Sequence, residues 1–282
     1  MTGPVDPALR EHYALGKEHD RLTEARGLLE FERTTEIMLR HLPAPPALVA
    51  DIGGGPGRYA LWLAERGYRV EHRDLMPLHV DQLRAVADPA RISAAVGDAR
   101  ELDLGDAAVD AVLLLGPIYH LRLREERLLA LREAWRVVRP GGPVFVAAIS
   151  RWAPRLDGEL RARLYESWPA VREETPRVER SGWMPPLFPG SFSAYCHRPR
   201  QLRAELRGAG FEVLDLVAVE GMGFALHDLD QRMADPLDRA VVLDAARAIE
   251  RVPELLGIGP HLLATASRPA AFMPSRSVGS PG

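Results

Sequence analysis

Three groups of residues have types and spacing suited to chemistry. The first is a glycine cluster. Gly53, Gly55 and Gly57 fall at every second position, and Asp51 stands two residues before the first of them. Glycine lets the backbone take positive φ and lets a ligand approach without a Cβ in the way. A helix that starts behind such a turn offers unpaired N–H groups and a positive dipole end to an anionic group. The second group centres on Asp74, 23 residues after Asp51. A carboxylate there can accept hydrogen bonds from both hydroxyls of a ribose, and Leu75 and Met76 beside it suit packing against a flat base. The third group handles protons. An imidazole titrates near neutrality, which makes His120 the first candidate for a general base. Tyr119 beside it is placed to shape an acceptor pocket. Tyr13 is the second candidate, and Glu220 is suited to bind a cation or take a proton.

These residues need a particular set of elements to hold them. The apolar run from Ala47 to Ala50 reads as a strand, and Arg58 to Arg66 reads as a helix with Leu61, Leu63 and Ala64 on or near one face. Strand, glycine turn and helix form the opening βα unit of a nucleotide-binding α/β fold. Further strands are expected at Tyr68–Asp74, Arg91–Val96, Val109–Leu115, Pro143–Ile149, Val213–Glu220 and His261–Ser267. The near-continuous apolar run from Val109 to Leu115 suits a strand covered on both faces. It empties into Gly116-Pro-Ile-Tyr-His120, and residues at that strand end border the crevice of an open α/β sheet. Helices are expected over residues 7–42, with Leu28, Leu29, Phe31, Ile37, Met38 and Leu39 as an apolar face. Others fall at Pro77–Ala87, Arg124–Val138, Pro199–Ala209 and Pro236–Glu250.

The alternating glycines do not match the G-x-G-x-x-G dinucleotide fingerprint, and no Gly-Lys-Ser/Thr follows as a phosphate loop would require. The form Asp51-x-Gly53-x-Gly55-x-Gly57 resembles motif I of the class I S-adenosylmethionine (SAM) dependent methyltransferases. Gly97-Asp98-Ala99 and the Arg139-Pro-Gly-Gly142 turn before an apolar strand are further marks of that family, so the resemblance spans residues 47 to 149. It is similar to the small-molecule branch, the quinone-biosynthesis and natural-product type. The resemblance implies a Rossmann-like seven-stranded sheet of order 3-2-1-4-5-7-6, last strand antiparallel, with helices on both faces. It implies SAM as donor and S-adenosylhomocysteine as product. Asp98 would take the adenine amino group, the Ala99 N–H the ring nitrogen, and the backbone at Leu115 and Gly116 the methionine part. An N-terminal helical segment would lie over the cofactor, bringing Tyr13 and Arg21 to the cleft, with Arg21 paired to the SAM carboxylate.

The resemblance and the composition together set the organisation. Residues 1–45 are expected as a helical lid, 46–149 as the SAM-binding core, 150–198 as a substrate cap, 199–270 as the rest of the core with a second cap insertion at 221–259, and 271–282 as a flexible tail. The first insertion holds Trp152, Trp168, Trp183, Phe188, Phe192 and Tyr195, in a chain only 6% aromatic. Trp183, Phe188 and Phe192 are the expected acceptor walls. A net charge of −3 supplies no basic field for nucleic acid. The one cysteine, Cys196, rules out a thiolate cluster. No compact His/Asp/Glu set stands out, so no metal is expected. The absence of an apolar leader or long apolar window fits a cytoplasmic protein away from membranes, as a monomer or homodimer. The expected reaction is methyl transfer to a small aromatic or indole-like specialised metabolite, at carbon or nitrogen rather than oxygen. The alternatives are an RNA or protein methyltransferase, or a SAM-binding regulatory protein without catalysis.

Overall fold

A computed structural model describes residues 7–14 and 24–270. Its centre is a sheet in which β1 (Leu48–Ile52), β2 (Arg69–Asp74), β3 (Ile92–Val96), β4 (Ala111–Leu114) and β5 (Pro143–Ser150) run parallel. β6 (Trp183–Met184) and β7 (Ala194–His197) belong to the first insertion; β8 (Glu212–Ala218) and β9 (His261–Ser267) complete the core. The core order is β3-β2-β1-β4-β5-β9-β8, with β9 antiparallel to both neighbours. This is the expected sheet. Every residue of β4 is fully buried, as its apolar run requires when helices cover both faces.

The helices are α1 (Pro7–Ala14), α2 (Ala25–Leu39), α3 (Arg58–Glu65), α4 (Pro77–Val86), the single turn α5 (Pro117–His120), α6 (Arg124–Val137), α7 (Ala170–Ser181), α8 (Pro199–Gly208), α9 (Leu229–Ala234) and α10 (Pro236–Ile249). Proline opens α4, α5, α8 and α10 at the position where its missing N–H costs nothing. Asp235 caps α10 by accepting the N–H groups of Leu237 and Asp238. On α2, Leu29, Ile37 and Met38 are buried, but Leu39 is exposed, one residue past the apolar stripe. Arg33 takes the buried place instead, paired with Glu36 and Glu250 and donating to the carbonyl of Val219. On α3 the buried residues are Tyr59, Ala60, Trp62 and Leu63.

The two insertions are more ordered than their proline content suggests. Residues 150–198 contain a π-helix at Pro154–Arg161, a 3-10 turn at Leu164–Glu166, α7 and the β6–β7 hairpin, and their longest irregular stretch is 185–193. β7 pairs parallel with the last two residues of β5, Ile149 with Cys196 and Ser150 with His197. The second insertion folds into α9 and α10, which pack on α2 through Leu229 and Met233 of α9, Val242 of α10 and Leu29 of α2. Among the described residues no helix is long and apolar enough to cross a membrane.

A buried ionic network ties the first insertion to the core. Arg127 of α6 grips Glu205 of α8 through two nitrogens, at 2.7 and 2.9 Å. His197 of β7 contacts the same carboxylate at 3.2 Å, and the Arg127 guanidinium lies over the Tyr195 ring. Burial raises the Glu205 pKa, but His197 and Arg127 outweigh it and hold the carboxyl at about 2. A depressed pKa contributes stability that is complete above the unfolded carboxyl value and is lost as pH falls towards the folded one. Glu205→Gln should therefore lower the unfolding free energy at pH 7 by about 3 kcal/mol, because Arg127 is left buried without its counter-charge. It should also flatten the loss of stability between the ordinary value of 4.5 and about 2. Denaturant melts across that window are the measurement; equal slopes in both proteins would refute the assignment.

Candidate active site

A cleft of about 570 Å³ opens at the carboxyl ends of β1, β2, β4 and β5, within the size range of small-ligand sites. The glycine turn forms its floor. Gly53, Gly55 and Gly57 take φ of 66°, 59° and 86°, the left-handed region that the alternating glycines predict. The turn is also packed without spare room. A Cβ on Gly53 would stand 2.4 Å from Pro117, and one on Gly54 would stand 2.2 Å from the Asp51 carboxylate. Gly53, Gly54 and Gly55 line the cleft.

Asp51 and Gly57 do not. Asp51 is fully buried beneath the turn, its Oδ2 facing His72 Nδ1 at 3.3 Å. Gly57 caps α3 and packs on Leu83. Both were expected as cofactor contacts. Their position is beneath and behind the turn, where the buried Asp51 carboxylate and the left-handed Gly57 shape its backbone.

Asp74 ends β2 and reaches the cleft with Leu75 and Met76. Its Oδ2 accepts the Gly55 N–H at 2.8 Å; its Oδ1 accepts the Met76 N–H at 2.8 Å and contacts His79 at 3.0 Å. Burial raises its pKa, yet His79 and the two N–H groups outweigh that and leave it below the ordinary value. The carboxylate that would receive the ribose thus also fixes the glycine turn. Asp98 and Ala99 line the cleft as expected. Arg100 holds the Asp98 carboxylate through Nε at 3.0 Å and Nη2 at 2.7 Å, and reaches Glu126 at 2.9 Å. Burial again raises the Asp98 pKa and Arg100 more than offsets it. Sequence reading missed His79 and Arg100. Arg100 lies two residues past Asp98, a spacing that was available as a signal; His79 is brought back onto Asp74 by the first turn of α4.

Leu115, Gly116, Tyr119 and His120 line the opposite wall, and Tyr13 of α1 closes over them. The Tyr13 hydroxyl stands 2.8 Å from His120 Nε2. His120 Nδ1 lies 3.3 Å from the carbonyl of Ser193, which can only accept; a neutral ring that donates there from Nδ1 leaves Nε2 to accept from the phenol. The two leading base candidates are thus brought together from positions 107 residues apart. Glu220 is not: it is buried behind the wall, with His261 between it and the cleft. Of the expected acceptor walls, Trp183 lines the cleft, with Arg122 over its ring. Phe192 lies behind, edge-on to His120, and Phe188 stacks on Trp168 outside it. Differences of four or five residues in position separate such outcomes, and aromatic type alone carries no signal for them. Arg21 lies outside the described residues. Burial pushes the Cys196 thiol up to about 12, which leaves it inert as a nucleophile.

Residues 50–146 match the family model described as "Methyltransferase domain". The sheet, the glycine turn and this match agree on one reading of the segment. It carries a methyltransferase domain. The chain is similar to an uncharacterized methyltransferase of Mycobacterium tuberculosis, 40% identical over 101 residues, covering 36% of this chain and 39% of that protein. It is also similar to the mouse protein named "Probable tRNA methyltransferase 9B", 30% identical over 105 residues, 36% of this chain and 22% of that one. The matched stretch thus spans well under half of these relatives. In three dimensions it resembles a SAM-dependent methyltransferase of Methanosarcina mazei, with a TM-score of 0.56 at 17% identity, covering 83% of this chain and 97% of that one. At that identity the likeness concerns the fold. SAM is the methyl donor that the domain implies. The residues present suit it: a turn into which no Cβ fits, an ionised carboxylate at the end of β2 and a second one at Asp98.

Asp74→Ala should weaken SAM binding by about 1.5–3 kcal/mol, the loss of a charged hydrogen-bonding partner, or roughly ten- to hundredfold in Kd. Titration calorimetry measures it. An unchanged Kd would show that Asp74 serves only the turn.

Proposed function

We propose that the protein transfers a methyl group from SAM to a small acceptor, aromatic or indole-like, at carbon or nitrogen. The observation that carries this is the Tyr13–His120 pair. It closes a cleft rich in apolar surface at the end of β4, opposite the glycine turn and Asp74.

SAM supplies an electrophilic methyl on a sulfonium. The chain's part is to orient the acceptor in line and to keep water out. Gly53 to Gly55, Asp74 and Asp98 hold the donor half. Tyr119, Trp183 and the Tyr13–His120 pair border the acceptor half. A nitrogen or carbon acceptor gives up a proton as it gains the methyl. Tyr13 Oη accepts that proton while its own passes to His120 Nε2, and the imidazolium then donates from Nδ1 to the Ser193 carbonyl. The Cα traces of α1 and of residues 150–198 make the lid and cap of this reading, with the acceptor entering between them. The charge of −3 fits a small acceptor in a cytoplasmic setting better than a polyanion.

An RNA acceptor is the second reading, supported by the similarity to the mouse protein named for tRNA. The two separate on one assay: tritiated methyl transfer from SAM into a metabolite extract or into bulk tRNA. Counts in the small-molecule fraction support the first reading, and counts in the tRNA fraction overturn it.

The roles of the pair are tested by substitution. His120→Ala should leave SAM affinity nearly unchanged and lower turnover by about 10²–10⁴-fold, the usual scale of general acid–base catalysis. Tyr13→Phe keeps the ring and removes the relay, so kcat should fall with KM largely kept. In the wild type the rate should drop on the acid side as the imidazole protonates. Unaltered turnover in His120→Ala at saturating substrate, with the same pH profile, would remove it as the base.

A further inference from the structure

Behind the acceptor half of the cleft, three elements far apart in sequence bring together two carboxylates and an imidazole. Glu30 comes from α2, Glu220 from the turn after β8, and His261 from the first residue of β9. One potential ligand atom from each lies within 4.8 Å of the others. Both carboxylates approach the same nitrogen: His261 Nδ1 is 2.5 Å from Glu220 Oε1 and 3.9 Å from Glu30 Oε2. Glu220 is set in place by its other oxygen, which accepts the His261 backbone N–H at 3.3 Å. Its side chain is only 3% exposed. Glu30 and His261 line the cleft, in company with Thr34, Val219 and Leu263.

The spacing fits an ion. Two ligands each about 2.1 Å from a cation stand roughly 3 Å apart at a right angle and roughly 4.2 Å apart when opposed. The 3.9 Å separation falls within those limits; the 2.5 Å one is a short hydrogen bond below them, so an ion would displace its proton and part Glu220 from His261 by about 0.5 Å. The donor set also has a preference: carboxylate oxygen and imidazole nitrogen without sulfur suit Mn²⁺, Fe²⁺ or Zn²⁺ rather than a thiolate-seeking ion. Glu30 and His261 line the cleft and Glu220 stands behind them, so the coordination positions left over on the cleft side face a group of the acceptor. The site lies on the β5–β9–β8 side of the sheet, across from Asp74 and Asp98 on the β2–β3 side.

We propose that Glu30, Glu220 and His261 form a divalent-cation site in the acceptor half of the cleft. It holds an oxygen or nitrogen of the acceptor and so selects acceptors that carry such a donor next to the reacting atom. The assignment of this wall to the acceptor rests on the methyl-transfer reading; the binding of the ion does not.

The test uses the full-length protein, stripped with chelator and titrated with Mn²⁺, following free Mn²⁺ by electron paramagnetic resonance. SAM binding is measured on the same samples. The wild type should take up one Mn²⁺ per chain saturably. Glu220→Gln and His261→Ala should each bind it about tenfold or more weakly, with SAM affinity unchanged. Glu30→Gln, like His261→Ala at a partly exposed position, serves as the third variant should the buried Glu220→Gln fail to fold. Absence of saturable uptake by the folded wild type overturns the proposal, as does equal uptake by the folded variants. SAM binding without Mn²⁺ uptake sinks the ion site alone, and Mn²⁺ uptake without SAM binding sinks the donor reading alone.

Discussion

The constraint on which the site depends is the lack of room around Gly53 and Gly54. The turn is pressed between the buried Asp51 carboxylate below and Pro117 above, so that a single methyl group on either glycine would overlap its neighbour. This contact joins the end of β1 to the end of β4, the two strands between which the donor and acceptor halves meet. It also brings Pro117, and with it the single turn that carries Tyr119 and His120, against the glycine turn at the cleft. The Asp74 carboxylate locks the same turn from the β2 side through the Gly55 N–H. The glycine turn and the turn that carries His120 are therefore coupled by the packing of Pro117 on Gly53, and a second time through Tyr13, which meets His79 beside Asp74 edge-on and bonds His120.

A second layer of order comes from paired charges. The chain is rich in arginine, and many of its arginines hold carboxylates that line or back the cleft. Arg100 fixes Asp98, Arg127 fixes Glu205, and Arg33 links α2 to Glu250 at the end of α10. Such pairs are weak contributors to net stability when buried, because desolvation offsets most of the attraction. Their larger effect is positional. Arg100 fixes the loop after β3, the Arg127–Glu205 pair holds the first insertion through His197 and Tyr195, and Arg33 joins α2 to the second insertion at Glu250.

Much of the fold was legible because its signals are local. The apolar run before Asp51, the alternating glycines, the buried run at β4 and the Arg139-Pro-Gly-Gly142 turn each state their structure within a few residues. Donor-side residues at strand ends were legible for the same reason. What was not legible depends on long-range packing. Asp51 and Gly57 belong to the motif but do not line the cleft. Phe188 and Phe192 have the composition of a pocket wall, and the irregular stretch at 185–193 turns them elsewhere. His261 looked like the first residue of a strand; only the antiparallel pairing of β9 with β5 and β8 sets it beside Glu220 and Glu30. The hairpin at β6 and β7 was hidden because its two strands are short and separated by prolines.

The central claim is that one cleft divides into a donor half at Asp74 and an acceptor half at His120, joined by the glycine turn. A crystal structure of the full-length protein with S-adenosylhomocysteine tests it most directly. The account predicts the ribose hydroxyls on the Asp74 carboxylate, the adenine beside Met76 and Asp98, and the sulfur directed at the Tyr13–His120 pair. A nucleoside bound elsewhere, or one whose sulfur points away from His120, would contradict it.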